Sequence, residues 1–348
     1  MHKLGSRMDG EGLTGYPWLW SGKEHANAGD KEVARDARGS DKTDGQAHGH
    51  GSPVGLDNVA EIAMHEKLRM LFAMDSQYSS HMMPRKFPDH VRKKALWDFN
   101  EKIRLLVAQP DTISKDYGNV LRVGHLLRNE AYHRGIVRET IINEVARTYL
   151  DALCTILPRL WVGRLLIIPG EDIEGYLKQY GVDAKAIDNR AFASVCAHFT
   201  EGRGCTAGSL AGMLSADLIR RLDEVVEGLE YLAGRGYEPV SVEDVLKNLQ
   251  FYPEFHEKHT FAKTGKGFLE FVRTRDREYA KYVPPIAMEV LDRWRNDAEA
   301  LVATTAPGQA LDLYAAIDKG FSEIEEAVGQ AVFELDEWVN MEVHDRGL

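Results

Sequence analysis

From Ala310 to Trp338 the apolar residues Ala310, Tyr314, Ile317, Phe321, Ile324, Val328, Ala331, Leu335 and Trp338 recur at alternating intervals of four and three. A strand turns successive side chains to opposite faces, so this spacing cannot line one side of it. A helix gathers the same positions into one stripe. The stripe runs for about four heptads and must pack along another helix. Packing inside the chain's own bundle is the first expectation, and a seam between two chains the second. Upstream, apolar residues also recur every three or four positions, and strand signals are confined to "LLIIP" and "GYEPVSV", both too short to build a sheet. An all-α fold is predicted.

Four helices are expected before residue 170. "LDNVAEIAMHEKLRMLFAMDS" has Asp57 in the position of an N-cap. Pro88 opens a second helix, "PDHVRKKALWDFNEKIRLLVAQ", which Pro110 ends. The third, "ISKDYGNVLRVGHLLRNEAYHR", is closed by Gly135, and the fourth starts near Val137. Residues 1–56 are rich in glycine, aspartate and histidine without an apolar period, and read as a disordered tail or a start-site extension. The expected organisation is that tail, a helical domain over 57–170 and a further helical region over 171–348.

Three cysteines in 348 residues, with no framework spacing, argue against structural disulfides and fit a reducing cytoplasm. The most apolar stretch, "LCTILPRLWVGRLLIIP", is interrupted by Pro158, Arg159 and Arg164, so no membrane span is expected. The net charge of −11 argues at first against a nucleic-acid partner. Its distribution points the other way, because Arg85–Arg138 holds twelve Lys and Arg against six Asp and Glu. A basic zone in an acidic protein attracts phosphates locally, although an ordinary solvated surface has the same composition.

Within that zone stands "LLRNEAYHRG", Leu126 to Gly135. On a wheel of about 100° per residue, Val120, Val123, Gly124, Leu127 and Ala131 form the core face. Arg122, His125, Asn129 and His133 gather opposite, within about 80°. Asn129 lies four residues before His133, where its amide can reach the ring and fix the tautomer. Arg128 diverges from His133 by about 140°, so one regular helix cannot aim both at the same phosphate. Either the helix distorts or a second copy completes the site. A histidine poised near neutrality can move protons, and an arginine can stabilise charge on phosphate oxygens. The plainer reading is that both decorate a basic helix surface.

The run "RNEAYH", Arg128 to His133, resembles the R-x4-H signature of HEPN-domain ribonucleases in its usual form, with asparagine after the arginine. The resemblance covers roughly residues 57–170, with two helices before the motif and a long one after it. It implies a HEPN-like helical bundle and metal-independent RNA cleavage by 2′-hydroxyl attack, needing no cofactor and no metal. Such enzymes pair as homodimers and act in toxin–antitoxin, phage-defence or RNA-processing roles, so an antitoxin partner is among the expectations. The implied site is Arg128 and His133, with Asn129 in support. Arg122, His125 and Arg134 are the expected contacts to the RNA backbone. The rival expectation is a non-catalytic helical interaction or regulatory module.

Other motifs are weaker. "FHEKH" at Phe255–His259 lacks the spacing of a zinc protease, and "KTGKGF" lacks that of a phosphate loop. Cys196, His198 and Cys205 offer three zinc ligands without a fourth. The six tryptophans mostly occupy apolar helical positions and read as core.

Overall fold

The computed structural model describes residues 53–78, 85–136, 138–160, 189–201, 207–235, 240–259 and 265–345, with single positions 175, 178 and 181. Every regular element among them is a helix. The tail expected over 1–56 lies outside the described residues up to residue 52, as do the boundary at residue 170 and both strand candidates but for Val240, Ser241 and Val242, the last of which opens a helix. The helices are α1 (Pro53–Tyr78), α2 (Asp89–Trp97), α3 (Phe99–Val107), α4 (Lys115–Asn129), α5 (Ile142–Leu160), α6 (Asn189–Thr200), α7 (Ala207–Arg235), α8 (Val242–Lys258), α9 (Gly265–Tyr279), α10 (Met288–Leu301) and α11 (Pro307–Asp345). None of the described helices is long and apolar enough to cross a membrane.

The described residues divide into two compact units, one of 53–218 with 297–318, the other of 219–296 with 319–345. In the first, Ala60, Met64, Leu68 and Phe72 line one side of α1 at four-residue intervals. They join Phe99, Ile103 and Leu106 of α3, Leu121 of α4, and Tyr149, Leu153, Ile156 and Leu160 of α5 in one core. Full burial stabilises by roughly 1.5–3 kcal/mol for each large apolar side chain. Ser114 caps α4, its hydroxyl accepting from the Tyr117 amide at 3.2 Å. Lys102 is buried in this core, and its ammonium donates to Glu61 at 2.8 Å.

Two expectations for the first unit need correction. Asp57 does not cap α1, which begins at Pro53; it sits one turn inside the helix, 3% exposed. The helix expected from Pro88 to Pro110 is two, because Asp98 is extended (φ −99°, ψ 113°) and its carboxylate caps α3 by accepting from the Glu101 amide at 3.0 Å. An aspartate competes with the helix for backbone hydrogen bonds, and here the cap wins. The break leaves Trp97 87% exposed at the end of α2, where a core residue was expected.

In the second unit the seam of α11 is buried within the chain. Phe321, Ile324, Val328, Ala331 and Leu335 pack against Leu222, Val225, Leu229 and Leu232 of α7 and Val245, Leu246 and Leu249 of α8. Arg221 of α7, almost fully buried, grips Glu325 with two hydrogen bonds of 2.7 and 2.5 Å and lies over the Phe321 ring. The first turns of α11 belong to the other unit, where the Tyr314 hydroxyl donates to Asp217 at 2.8 Å. Of the two uses expected for the seam, the intrachain one is observed.

Candidate active site at the end of helix α4

Helix α4 does not run on regularly through the motif. After Asn129 it widens into a π turn, Glu130–Arg134, in which the Gly135 amide donates to the Glu130 carbonyl five residues back. Such turns occur as single wide turns and are frequent at functional sites. The turn stops at Gly135, whose φ of 68° is left-handed and free of cost only for glycine, as the sequence predicts. A π turn advances roughly 80° per residue rather than 100°, so the divergence of Arg128 and His133 falls from about 140° to roughly 90°. Distortion therefore accounts for part of the mismatch seen on the wheel.

The side chains of the motif lie in two environments. Arg128 is four-fifths covered. One guanidinium nitrogen, Nη1, donates to Asn129 Oδ1 at 2.8 Å, and the guanidinium carbon lies 5.2 Å from the centre of the Tyr132 ring. Its Nε is buried with no hydrogen-bond partner, 4.0 Å from Asp57 Oδ2. His133 and Arg134 are exposed, with the His133 ring edge-on to Tyr132 at 5.3 Å. Beside Arg128, a small pocket is lined by Leu56, Leu127, Ile142, Val145, Asp57 and Tyr149 among others.

Asn129 does not orient His133, as the sequence suggests. Its amide meets His125 Nε2 at 3.0 Å, one turn back on the regular part of α4. His125 itself is not a surface residue waiting for RNA. Its ring stacks on Phe99 at 3.9 Å and 7°, and its Nδ1 lies 2.8 Å from Asp57 Oδ2. The other oxygen of Asp57 accepts from the Tyr149 hydroxyl at 2.9 Å. Burial is the largest single influence on Asp57 and pushes its carboxyl up. His125, Tyr149 and Arg128 together outweigh it and hold the group below the usual carboxylate range. Burial and the neighbouring Asp57 push the Tyr149 phenol up, so it stays a donor. Asp57, Phe99 and Tyr149 are the residues that sequence reasoning missed. The available signal was a carboxylate in a run of otherwise apolar core positions of α1.

Much of the basic zone is neutralised within the chain. Arg122, expected to contact RNA, pairs with Asp312. Arg138 pairs with Asp318 at 2.8 Å and Glu130 at 3.4 Å. Arg92 meets Asp75 at 2.5 Å, and Arg104 meets Glu101 at 2.5 Å. Of the zinc candidates, Cys196 is buried, His198 lies 3.5 Å from Glu201, and Cys205 falls outside the described residues. Among the described residues no three His, Cys, Asp or Glu side chains group as a metal site.

No family model, curated protein or solved structure matches this chain. The site is therefore read from its own geometry and from the motif.

One contact fixes the packing behind that geometry. A Cβ on Gly124 would stand 2.3 Å from Cδ2 of Tyr149, whose ring is held in place by its hydroxyl on Asp57. Gly124→Ala should destabilise the protein by about 1–3 kcal/mol, as overpacking does. Urea unfolding measures it, and wild-type stability would mean that the ring has room to move.

Proposed function

We propose that the chain is a metal-independent endoribonuclease of the HEPN type, acting on RNA in a reducing cytoplasm, in a toxin or phage-defence setting. The observation that supports this reading is the end of α4: Arg128 oriented by the Asn129 amide, and His133 exposed on a π turn closed by Gly135. RNA carries its own nucleophile, so the protein need only move protons and stabilise charge. His133 takes the proton of the 2′-hydroxyl as that oxygen attacks the adjacent phosphorus, or gives one to the 5′-oxygen as the P–O5′ bond breaks. Arg128 bears the growing charge on the non-bridging oxygens. Arg134, beside His133 and exposed, is an expected contact for the RNA backbone.

The remaining divergence of roughly 90° between Arg128 and His133 favours a homodimer, in which each cleft takes side chains from two copies. Leu126, just before the motif, and Tyr132 within it are exposed and give such a pair something to bury. A second reading, the non-catalytic helical module, is favoured by the capture of Arg122 and Arg138 in ion pairs within the chain. Incubating the full chain with RNA in excess EDTA separates the two. Cleavage should persist and leave 2′,3′-cyclic phosphate ends, or the 3′-phosphate to which they open. Activity that EDTA abolishes and magnesium restores would overturn the mechanism, and no cleavage at all would favour the module.

A further inference from the structure

Four hydrogen bonds behind the motif are consistent with only one protonation state of His125. A guanidinium has donors and no acceptor, so the Asn129 atom 2.8 Å from Arg128 Nη1 must be the amide oxygen. The amide NH2 then faces His125 Nε2 at 3.0 Å, which makes Nε2 the acceptor. The ring proton must lie on Nδ1, donated to Asp57 Oδ2 at 2.8 Å. Tyr149 donates to the other oxygen of Asp57. Read from one end, each donor points the same way: Arg128 to Asn129, Asn129 to His125, His125 to Asp57.

A second proton on His125 breaks this order. Nε2–H and the Asn129 NH2 would be two donors 3.0 Å apart, so the amide must turn over to offer its oxygen. The turned amide presents NH2 to Arg128 Nη1, again donor to donor, and the Arg128–Asn129 bond is lost. We propose that His125 is a proton switch, relayed through the Asn129 amide, that holds Arg128 in position only while the imidazole is neutral. His125 and Asp57 are thus positioning residues for Arg128.

The surroundings suit such a role. From α1, His125 is faced by the carboxylate of Asp57, with Glu61 one turn further on and tied to Lys102 of α3. From α3 it meets the uncharged Phe99 ring, from α5 the Tyr149 phenol by way of Asp57, and on α4 itself Arg128. Asp57 remains ionised wherever histidine titrates and so stabilises both the neutral Nδ1–H form and the imidazolium. The amide is the group that cannot satisfy both neighbours at once. On release, Arg128 retains Asp57, 4.0 Å from its Nε, and the Tyr132 ring.

What the release does to activity rests on the nuclease reading, but the switch itself does not. Nitrogen-15 NMR of the full chain, titrated between about pH 5 and 8, tests it without RNA. The His125 signal is assigned by its loss in His125→Gln. In the neutral state its proton should be on Nδ1, the form less favoured in free histidine, and the Arg128 Nε–H signal should shift with the same midpoint as His125. In Asn129→Asp, whose carboxylate accepts from Arg128 throughout and from Nε2–H once His125 is protonated, the second proton forces no turn and Arg128 should no longer follow. A neutral His125 protonated on Nε2 overturns the proposal, as does an Arg128 signal that ignores the titration or follows it equally in Asn129→Asp. Should Asn129→Asp fail to fold, the wild-type tautomer and midpoints still decide. If the chain does cleave RNA, an acid limb with the His125 midpoint should appear in wild type and vanish in Asn129→Asp.

Discussion

On the nuclease reading, replacing His133 by alanine should lower the rate of RNA cleavage by about a hundredfold or more, and Arg128→Ala should do the same. On that reading one substitution would remove the proton carrier and the other the charge that offsets the phosphorane. His133 is exposed and its ring stands T-shaped to that of Tyr132, so its loss should leave the core and the melting temperature unchanged. Arg128 is mostly covered and bonded to Asn129, so its variant also loses stability, about 1.5–3 kcal/mol on the scale of one hydrogen bond to a charged group. Assaying mixtures of the two variants separates composite from single-chain sites. In a shared cleft each chain supplies what the other lacks, and part of the activity returns. An active His133→Ala protein with wild-type melting would return the motif to surface decoration.

Asp57→Ala should cost roughly 3–5 kcal/mol, the range for removing one partner of a buried charged cluster. The carboxylate is 3% exposed and accepts from the Tyr149 hydroxyl and from His125. Alanine leaves both groups without an acceptor and leaves the Arg128 guanidinium without its nearest counter-charge. Urea unfolding at neutral pH measures the loss, and a change below about 1 kcal/mol would show that water replaces the carboxylate without penalty. The pH dependence has a definite sign. Asp57 is held below its ordinary value in the folded protein, while the unfolded chain titrates near 3.9. Its contribution is therefore fully present above roughly pH 4 and is lost as pH falls through the folded value. Wild-type stability should decline in that window more steeply than that of Asp57→Asn.

The helical class and the seam of α11 were legible because periodicity is a local property, repeated over many residues. The Gly135 cap was legible for the same reason: a glycine at the end of a periodic run needs no distant partner to explain it. Asp57 was misread because an aspartate just ahead of an apolar run looks the same whether it caps a helix or is buried one turn inside it. Its partners, His125 and Tyr149, are 68 and 92 residues away. The role of His125 was hidden by the wheel itself, which assigns one core face to a helix. In the fold α4 is contacted by α1, α3 and α5, and the side reckoned polar is covered by Phe99 and Asp57. The break at Asp98 was obscured by helical spacing that continues on both sides of it.

The wide turn after Asn129 makes the number of residues between arginine and histidine a poor guide to their bearing. Deleting one residue from Glu130–Arg134 would let α4 close its turns normally, and the histidine would then stand about 40° from Arg128 instead of roughly 90°. Chains that gain or lose a residue here trade turn width against spacing, and their side chains change direction by less than the count implies. A search keyed to a fixed interval would separate sequences whose histidines differ in bearing by only about 50°. It would also unite others in which five intervening steps, wound as a regular helix, send the two groups to opposite sides.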